Sequence, residues 1–187
     1  HSYDKEVLPV IELYNSYFGG SMSGVVFQDL RESKALAYSA YSRYLKPRKP
    51  QKKYENFSYI GSQADKLAEA MKGMSDLLTS MPKASASFET AKEQVLQEIQ
   101  SERITKSEIL FAYEEARIFG NSTDVRKNVF EKVSVMTFED VKKFHENYIK
   151  GKPVNILVLG NKNDIKTEAL EKYGKVKLIS LSEIFGY

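Results

Sequence analysis

Residues 17–41 read Tyr-Phe-Gly-Gly-Ser-Met-Ser-Gly-Val-Val-Phe-Gln-Asp-Leu-Arg-Glu-Ser-Lys-Ala-Leu-Ala-Tyr-Ser-Ala-Tyr. Three elements meet in this stretch. Leu8, Ile11, Tyr14 and Phe18 recur at helical spacing and predict a helix over 5–18. Asp4 suits its N-cap, and Pro9 falls early, where a missing N–H costs least. Gly19-Gly20 breaks that helix. A second one, about 22–33, has Val25, Val26 and Leu30 opposite a polar face of Gln28, Asp29, Arg31 and Glu32. Residues 35–45 then turn to Tyr, Ala and Ser with no helix cap. They read as a strand with Tyr38, Ala40, Ser42 and Tyr44 on one face and Ala37, Ser39, Tyr41 and Arg43 on the other.

Arg31 and Tyr38 stand seven residues apart across this helix-to-strand turn. That interval can bring a guanidinium and a phenol to one end of a sheet. Both are donors, a fixed fork and a single hydroxyl, suited to gripping a carbonyl oxygen or an oxyanion. The structural alternative pairs Arg31 with Glu32 or Asp29 and buries Tyr38. On spacing alone it is the commoner outcome.

Outward from this stretch, Pro47 and Pro50 mark a loop of about eight residues, and 54–60 forms a second strand antiparallel to the first. About 85 residues of helix follow. Leu67, Met71, Met74, Leu78 and Met81 line one helix, and Phe88, Ala91, Val95 and Ile99 the next. Thr105 with Glu108 opens a third, with Ile109, Tyr113 and Ala116. Val125, Val129 and Val133 mark a fourth, and Thr137 caps a fifth with Val141, Phe144 and Tyr148 inward. Most apolar residues of these helices face the core by spacing, and none is assigned a cofactor. Val154–Leu159 reads as a short apolar strand, followed by a polar loop, a brief helix and an alternating stretch near 176–181. The sum is α+β: an antiparallel sheet with helices packed mainly on one face. Three or four strands are few for six or so helices, so strands upstream of His1 are expected to complete the sheet.

Composition narrows the function. The chain has 187 residues, 42% hydrophobic, enough for one core-forming domain. Lys+Arg 28 against Asp+Glu 25 is too balanced for a dedicated nucleic-acid binder. No apolar run reaches the roughly 18 residues of a membrane span. With no cysteine, thiol nucleophiles, disulfides and zinc fingers are excluded. The two histidines, His1 and His145, are too few for a self-contained zinc site, and His145 reads as a boundary or surface residue. Asn161-Lys162-Asn163-Asp164 is similar to a guanine-reading loop, but no phosphate-cradling glycine loop accompanies it, so it reads as a turn. Arg43–Lys53 carries six cations, no acid, and Tyr41, Tyr44 and Tyr54 interleaved or adjacent. That is either a solvated hairpin loop or a surface for single-stranded nucleic acid.

One set of motifs resembles a known family. Phe18-Gly19-Gly20, Leu30-Arg31-Glu32 and Leu36-Ala37-Tyr38 resemble the C-terminal, non-catalytic half of insulinase/pitrilysin zinc metalloendopeptidases. Thr137–Val141, the run Val154–Leu159 ending in Gly160-Asn161, and Tyr173-Gly174-Lys175-Val176 are similar to the end of such a domain. The likeness spans about residues 5–180, and the ending Ile184–Tyr187 is similar to that of bacterial members of the Bacteroidetes type. The resemblance implies a single inactive peptidase-like domain over 1–187, with the N-terminal strand or strands missing, within a larger two-halved clamshell. The other half, in the same or a partner polypeptide, would hold zinc on an H-x-x-E-H motif that this chain lacks. This chain would bind no metal and cleave nothing alone. It would clamp a peptide substrate opposite the zinc, with Arg31 and Tyr38 matching the family's substrate-holding Arg and Tyr. Gly19 and Gly20 lie where a non-catalytic member carries a glycine-rich loop, which implies a possible peptide contact. The alternatives are a catalytically silent assembly or scaffold subunit of the same fold, and single-strand nucleic-acid binding through 43–53. Bacterial relatives suggest the periplasm or cell envelope.

Overall fold

A computed structural model describes residues 3–186 of the chain, so His1, Ser2 and Tyr187 lie outside the described residues. Helix α1 (Leu8–Tyr14) runs on into a π-helical turn, Asn15–Gly19. Helix α2 (Val25–Phe27) does the same over Gln28–Ser33. Strands β1 (Ser39–Leu45) and β2 (Glu55–Gly61) form an antiparallel hairpin in which Tyr41 faces Tyr59 and Arg43 faces Phe57. Then follow α3 (Leu67–Thr79), α4 (Ser85–Ser101), α5 (Ile109–Ile118), α6 (Val125–Val135), α7 (Phe138–Tyr148) and two short helices, α8 (Glu168–Glu171) and α9 (Leu181–Phe185). Thr137, the expected cap, forms a capping box with Asp140 at the start of α7.

The core is built on the first helix. Leu13, Tyr14, Tyr17 and Phe18 are fully buried, with Val26 and Leu30 from the second helical segment and Val133 and Val141 from α6 and α7. Tyr17 pins the α3–α4 connection: its hydroxyl donates to the Pro82 carbonyl at 2.7 Å and accepts from the Ala84 N–H at 3.0 Å. Its ring meets Phe88 and Phe138 edge-on, each at 5.8 Å between centroids.

The hairpin lies on this core through glycine. A Cβ on Gly19 would sit 2.6 Å from both the N and the O of Ser42. Only a residue without a side chain lets α1 reach the β1 backbone so closely. Two residues on, the Asn15 side-chain amide takes both main-chain groups of Tyr44. It donates to the Tyr44 carbonyl at 3.1 Å and accepts the Tyr44 N–H at 2.7 Å. Asn15 thus fills the place a third strand would occupy there. The predicted alternation holds within β1, where Ala40, Ser42 and Tyr44 are buried while Ser39 and Arg43 face out, but the strand begins at Ser39 rather than at 35, and Tyr38, expected on the buried face, precedes it and is exposed.

Three expectations are corrected. Val154–Leu159 forms no strand and joins no sheet among the described residues, and the sheet there has two strands rather than three or four. Leu157 and Leu159 are 86% and 98% exposed. An apolar run marks a segment suited to pairing, but a ladder also needs a neighbouring strand in place. Helix α5 forms as predicted, yet it has no buried residue, and Ile109, Leu110 and Tyr113 are exposed. Residues 176–180 form no strand and lead into α9.

His145 is also corrected, from surface to core. It is 2% exposed, packed against Tyr14 and Phe18, with Nδ1 3.3 Å from the Tyr14 hydroxyl. Its Nε2 is buried without a well-formed hydrogen bond. Burial pulls its pKa below the ordinary value, the Leu78 main chain and Glu146 acting weakly the other way.

Two stability measurements follow from this packing. Gly19→Ala is expected to cost at least about 2 kcal/mol, because the atoms it meets are backbone and cannot swing aside. That corresponds to roughly 4–8 °C in melting temperature. An unchanged melting temperature would refute the close approach. For His145 the unfolded chain binds a proton more readily than the folded one. Stability is therefore full above the unfolded pKa of about 6.5 and falls as pH drops toward the depressed folded value. Urea midpoints measured from pH 7 to 5.5 should decline, and His145→Gln should flatten that slope.

Candidate functional site

The turn between Arg31 and Tyr38 is tightly fixed. The Lys34 N–H donates to the Asp29 carbonyl at 3.1 Å and the Leu36 N–H to the Leu30 carbonyl at 2.8 Å. Ala35 takes a left-handed conformation (φ 48), which costs a non-glycine residue about 1–2 kcal/mol. The Tyr38 N–H then donates to the Gly61 carbonyl at 2.7 Å, tying the turn to the open end of the hairpin. Beneath it, Gly73 of α3 leaves room for Leu30, whose Cδ2 would lie 2.6 Å from a Cβ at that position. Arg31 and Tyr38 therefore leave the chain at the end of the hairpin away from the Pro47–Pro50 turn.

Both side chains face outward. Tyr38 is 65% exposed, and its hydroxyl makes no hydrogen bond among the described residues. The Arg31 guanidinium lies 4.8 Å above the Phe27 ring, with Nε a loose 3.6 Å from a Glu32 carboxylate oxygen. Asp29, the other candidate partner, pairs with Lys34 at 2.5 Å. The structural alternative thus fails for Tyr38 and holds only weakly for Arg31. The donors stay available to a ligand.

Gly19 and Gly20 are placed differently. Gly19 is buried against Ser42. The Gly20 N–H bonds the Asn15 carbonyl at 2.6 Å, and the Gly20 carbonyl accepts from Arg43 Nη2 at 3.1 Å. Their main-chain groups and space serve the packing of α1 on β1.

The basic loop is partly spent as well. Lys46 pairs with Glu115 at 2.5 Å and lies 4.1 Å from the centre of the Phe119 ring. Tyr44 and Tyr54 stack on each other at 5.4 Å inside the core, and burial pushes the Tyr54 phenol up to about 12. Two of the three tyrosines named for base stacking are therefore inaccessible to a base. Arg48, Lys49, Lys52 and Lys53 are exposed and make no ion pair among the described residues. The Asn161 loop is a turn, with its side-chain oxygen accepting the Asn163 N–H at 3.1 Å.

Sequence reasoning missed an aromatic row on the outer face of the hairpin. Tyr41 stacks on Tyr59 across the strands at 5.3 Å and meets Phe57 diagonally at 6.1 Å. Phe57 and Tyr59 are 49% and 44% exposed. The alternation of Phe57 and Tyr59 opposite Tyr41 and Arg43 was the available signal, but it needed the register to be read. Among the described residues no group of acidic and histidine side chains could hold a metal, and no helix is long and apolar enough to cross a membrane.

Comparison with solved structures shows the fold. The chain matches a peptidase M16 inactive domain from Pseudomonas fluorescens with TM-score 0.61 at 15% identity, covering 78% of this chain and 35% of that one. It matches a protease from Helicobacter pylori with TM-score 0.59 at 13% identity, covering 79% of this chain and 35% of that one. The chain has the fold of an M16 inactive domain. It spans about a third of the length of these structures. Neither a known family profile nor a curated protein sequence matches it. Within this M16 inactive-domain fold, an exposed Arg31 and Tyr38 should contribute little to stability. Arg31→Ala and Tyr38→Phe are each expected to change unfolding free energy by no more than about 0.5 kcal/mol. A larger loss in thermal or urea unfolding would assign them a structural role.

Proposed function

We propose that this chain is the non-catalytic, substrate-clamping domain of a zinc-dependent metalloendopeptidase. The single observation that carries the reading is an exposed guanidinium and an exposed phenol held at one end of the hairpin by a fixed, strained turn, in a fold shared with an M16 inactive domain. Exposed donors, Tyr38 without an internal hydrogen bond among the described residues and Arg31 with only a loose contact to Glu32 and the Phe27 ring, are what a site needs if it is to meet an oxygen that gains charge during peptide hydrolysis. Arg31 would supply a charged fork and Tyr38 a hydroxyl. Gly19 and Gly20 would act by setting the hairpin on α1, and so the direction in which Tyr38 leaves it.

Zinc and the water-activating residues would belong to a catalytic half, in the same polypeptide or a partner. When bound there, zinc supplies a nucleophilic water and polarises the peptide carbonyl. This chain's residues would hold the peptide from the opposite side. A scaffold role in the same fold is the second reading, and the exposed Arg31 and Tyr38 argue against it.

The test is peptide cleavage by the complete parent protein, or by this chain mixed with its catalytic half. Arg31→Ala or Tyr38→Phe should lower kcat/KM by about 10²–10³ with zinc content and melting temperature unchanged, the cost of losing one oxyanion donor. Unchanged cleavage would leave the scaffold reading. This chain alone is expected neither to retain zinc nor to cleave. One zinc per chain with chelator-sensitive cleavage would overturn the proposal.

A further inference from the structure

The outer face of the hairpin continues the site just described. The Tyr59 hydroxyl would lie 3.1 Å from a Cβ on Gly61, so its ring leans over Gly61, the residue that anchors the Tyr38 main chain. From there the row runs through the stacked Tyr41–Tyr59 pair to Phe57, beside Arg43, and on to the basic turn at 46–53. A single strip thus begins at Gly61, beside the Tyr38 main chain, is aromatic in the middle and cationic at the far end.

We propose that this strip is a binding track for an extended peptide, with an apolar side chain seated on Tyr41, Phe57 and Tyr59 and acidic residues reaching Arg48, Lys49, Lys52 and Lys53. The inference rests on the peptide-clamping reading and adds a substrate preference to it. Charge decides the acidic end: four exposed cations without ion pairs sit there. At about 3.3 Å per residue, Tyr41 and the start of the turn are separated by roughly five residues of extended chain, which sets the spacing between the apolar and acidic residues. Charge placement decides for a peptide over a single-stranded nucleic acid. Tyr41 and Tyr59 stack on one face each and keep the other for a ligand. The unpaired cations cluster at one end, while phosphates would need them along the whole track.

The probe is a fluorescent decapeptide with one phenylalanine and a Glu-Glu pair five residues away, read by anisotropy on this chain. Replacing its phenylalanine by alanine should weaken binding about tenfold, the scale of burying one aromatic side chain. Tyr41→Ser/Tyr59→Ser in the protein should abolish that difference. Arg31→Ala should weaken both peptides by the same factor and preserve it. Replacing Glu-Glu by Lys-Lys should weaken binding in a salt-dependent way. A photoreactive benzoylphenylalanine in the probe maps contact on the unmutated chain and should label Phe57–Tyr59. Equal binding of the phenylalanine and alanine peptides, with Arg31→Ala still weakening both, would overturn the track and leave the clamp standing. Failure of every peptide to bind would overturn both. Labelling confined to α5 or to 154–159, tighter binding of an oligo-dT strand, or a dimer that Tyr41→Ser/Tyr59→Ser dissolves would each overturn the track.

Discussion

Contact between the end of α1 and the backbone of β1 is the constraint on which the rest depends. Gly19 comes close enough to Ser42 that a methyl group would collide with main-chain atoms, and Asn15 completes the hydrogen bonding of Tyr44 beside it. Helix and hairpin are thereby joined without a layer of side chains between them. The π-helical turn Asn15–Gly19 fits this use, since widening the helix end places Asn15 and Gly19 against one strand. Tyr14, Tyr17 and Phe18 then spread to the other side and gather α3, α4 and α7 around the same segment.

That arrangement determines what the hairpin can offer a ligand. Its inner face is committed through Ala40, Ser42 and Tyr44, so its outer face and open end are left for binding. The open end receives Tyr38 through a turn with a left-handed alanine, and strain of this kind persists only where surrounding bonds over-determine it. Here those bonds are the Leu30 and Asp29 carbonyls on one side and the Gly61 carbonyl on the other. Arg31 and Tyr38 consequently stand on a rigid base with their side chains exposed, as the proposed grip requires.

The same fold leaves much apolar surface uncovered. The run 154–159 and the α5 residues Ile109, Leu110 and Phe111 are far more exposed than their sequence pattern implies. The solved structures with this fold are about three times as long as the chain. Hydrophobic periodicity reports that a segment is suited to burial. It carries no information on which polypeptide supplies the other side.

Local interactions were legible in the sequence. The Gly19-Gly20 break, the Thr137 cap, the hairpin with its two faces and the helices from α3 to α7 all follow from spacing, capping and turn chemistry within a few residues. Arg31 and Tyr38 could be singled out because their interval crosses one short turn. Contacts over long separations were decided only by the tertiary structure. His145 is buried because Tyr14 and Phe18, more than a hundred residues earlier, close over it. Tyr44 and Tyr54 go inward while Tyr41, Phe57 and Tyr59 face out, which depends on register and on where α1 lands. Val154–Leu159 has strand composition but no ladder, because pairing is a property of two segments and sequence describes only one of them.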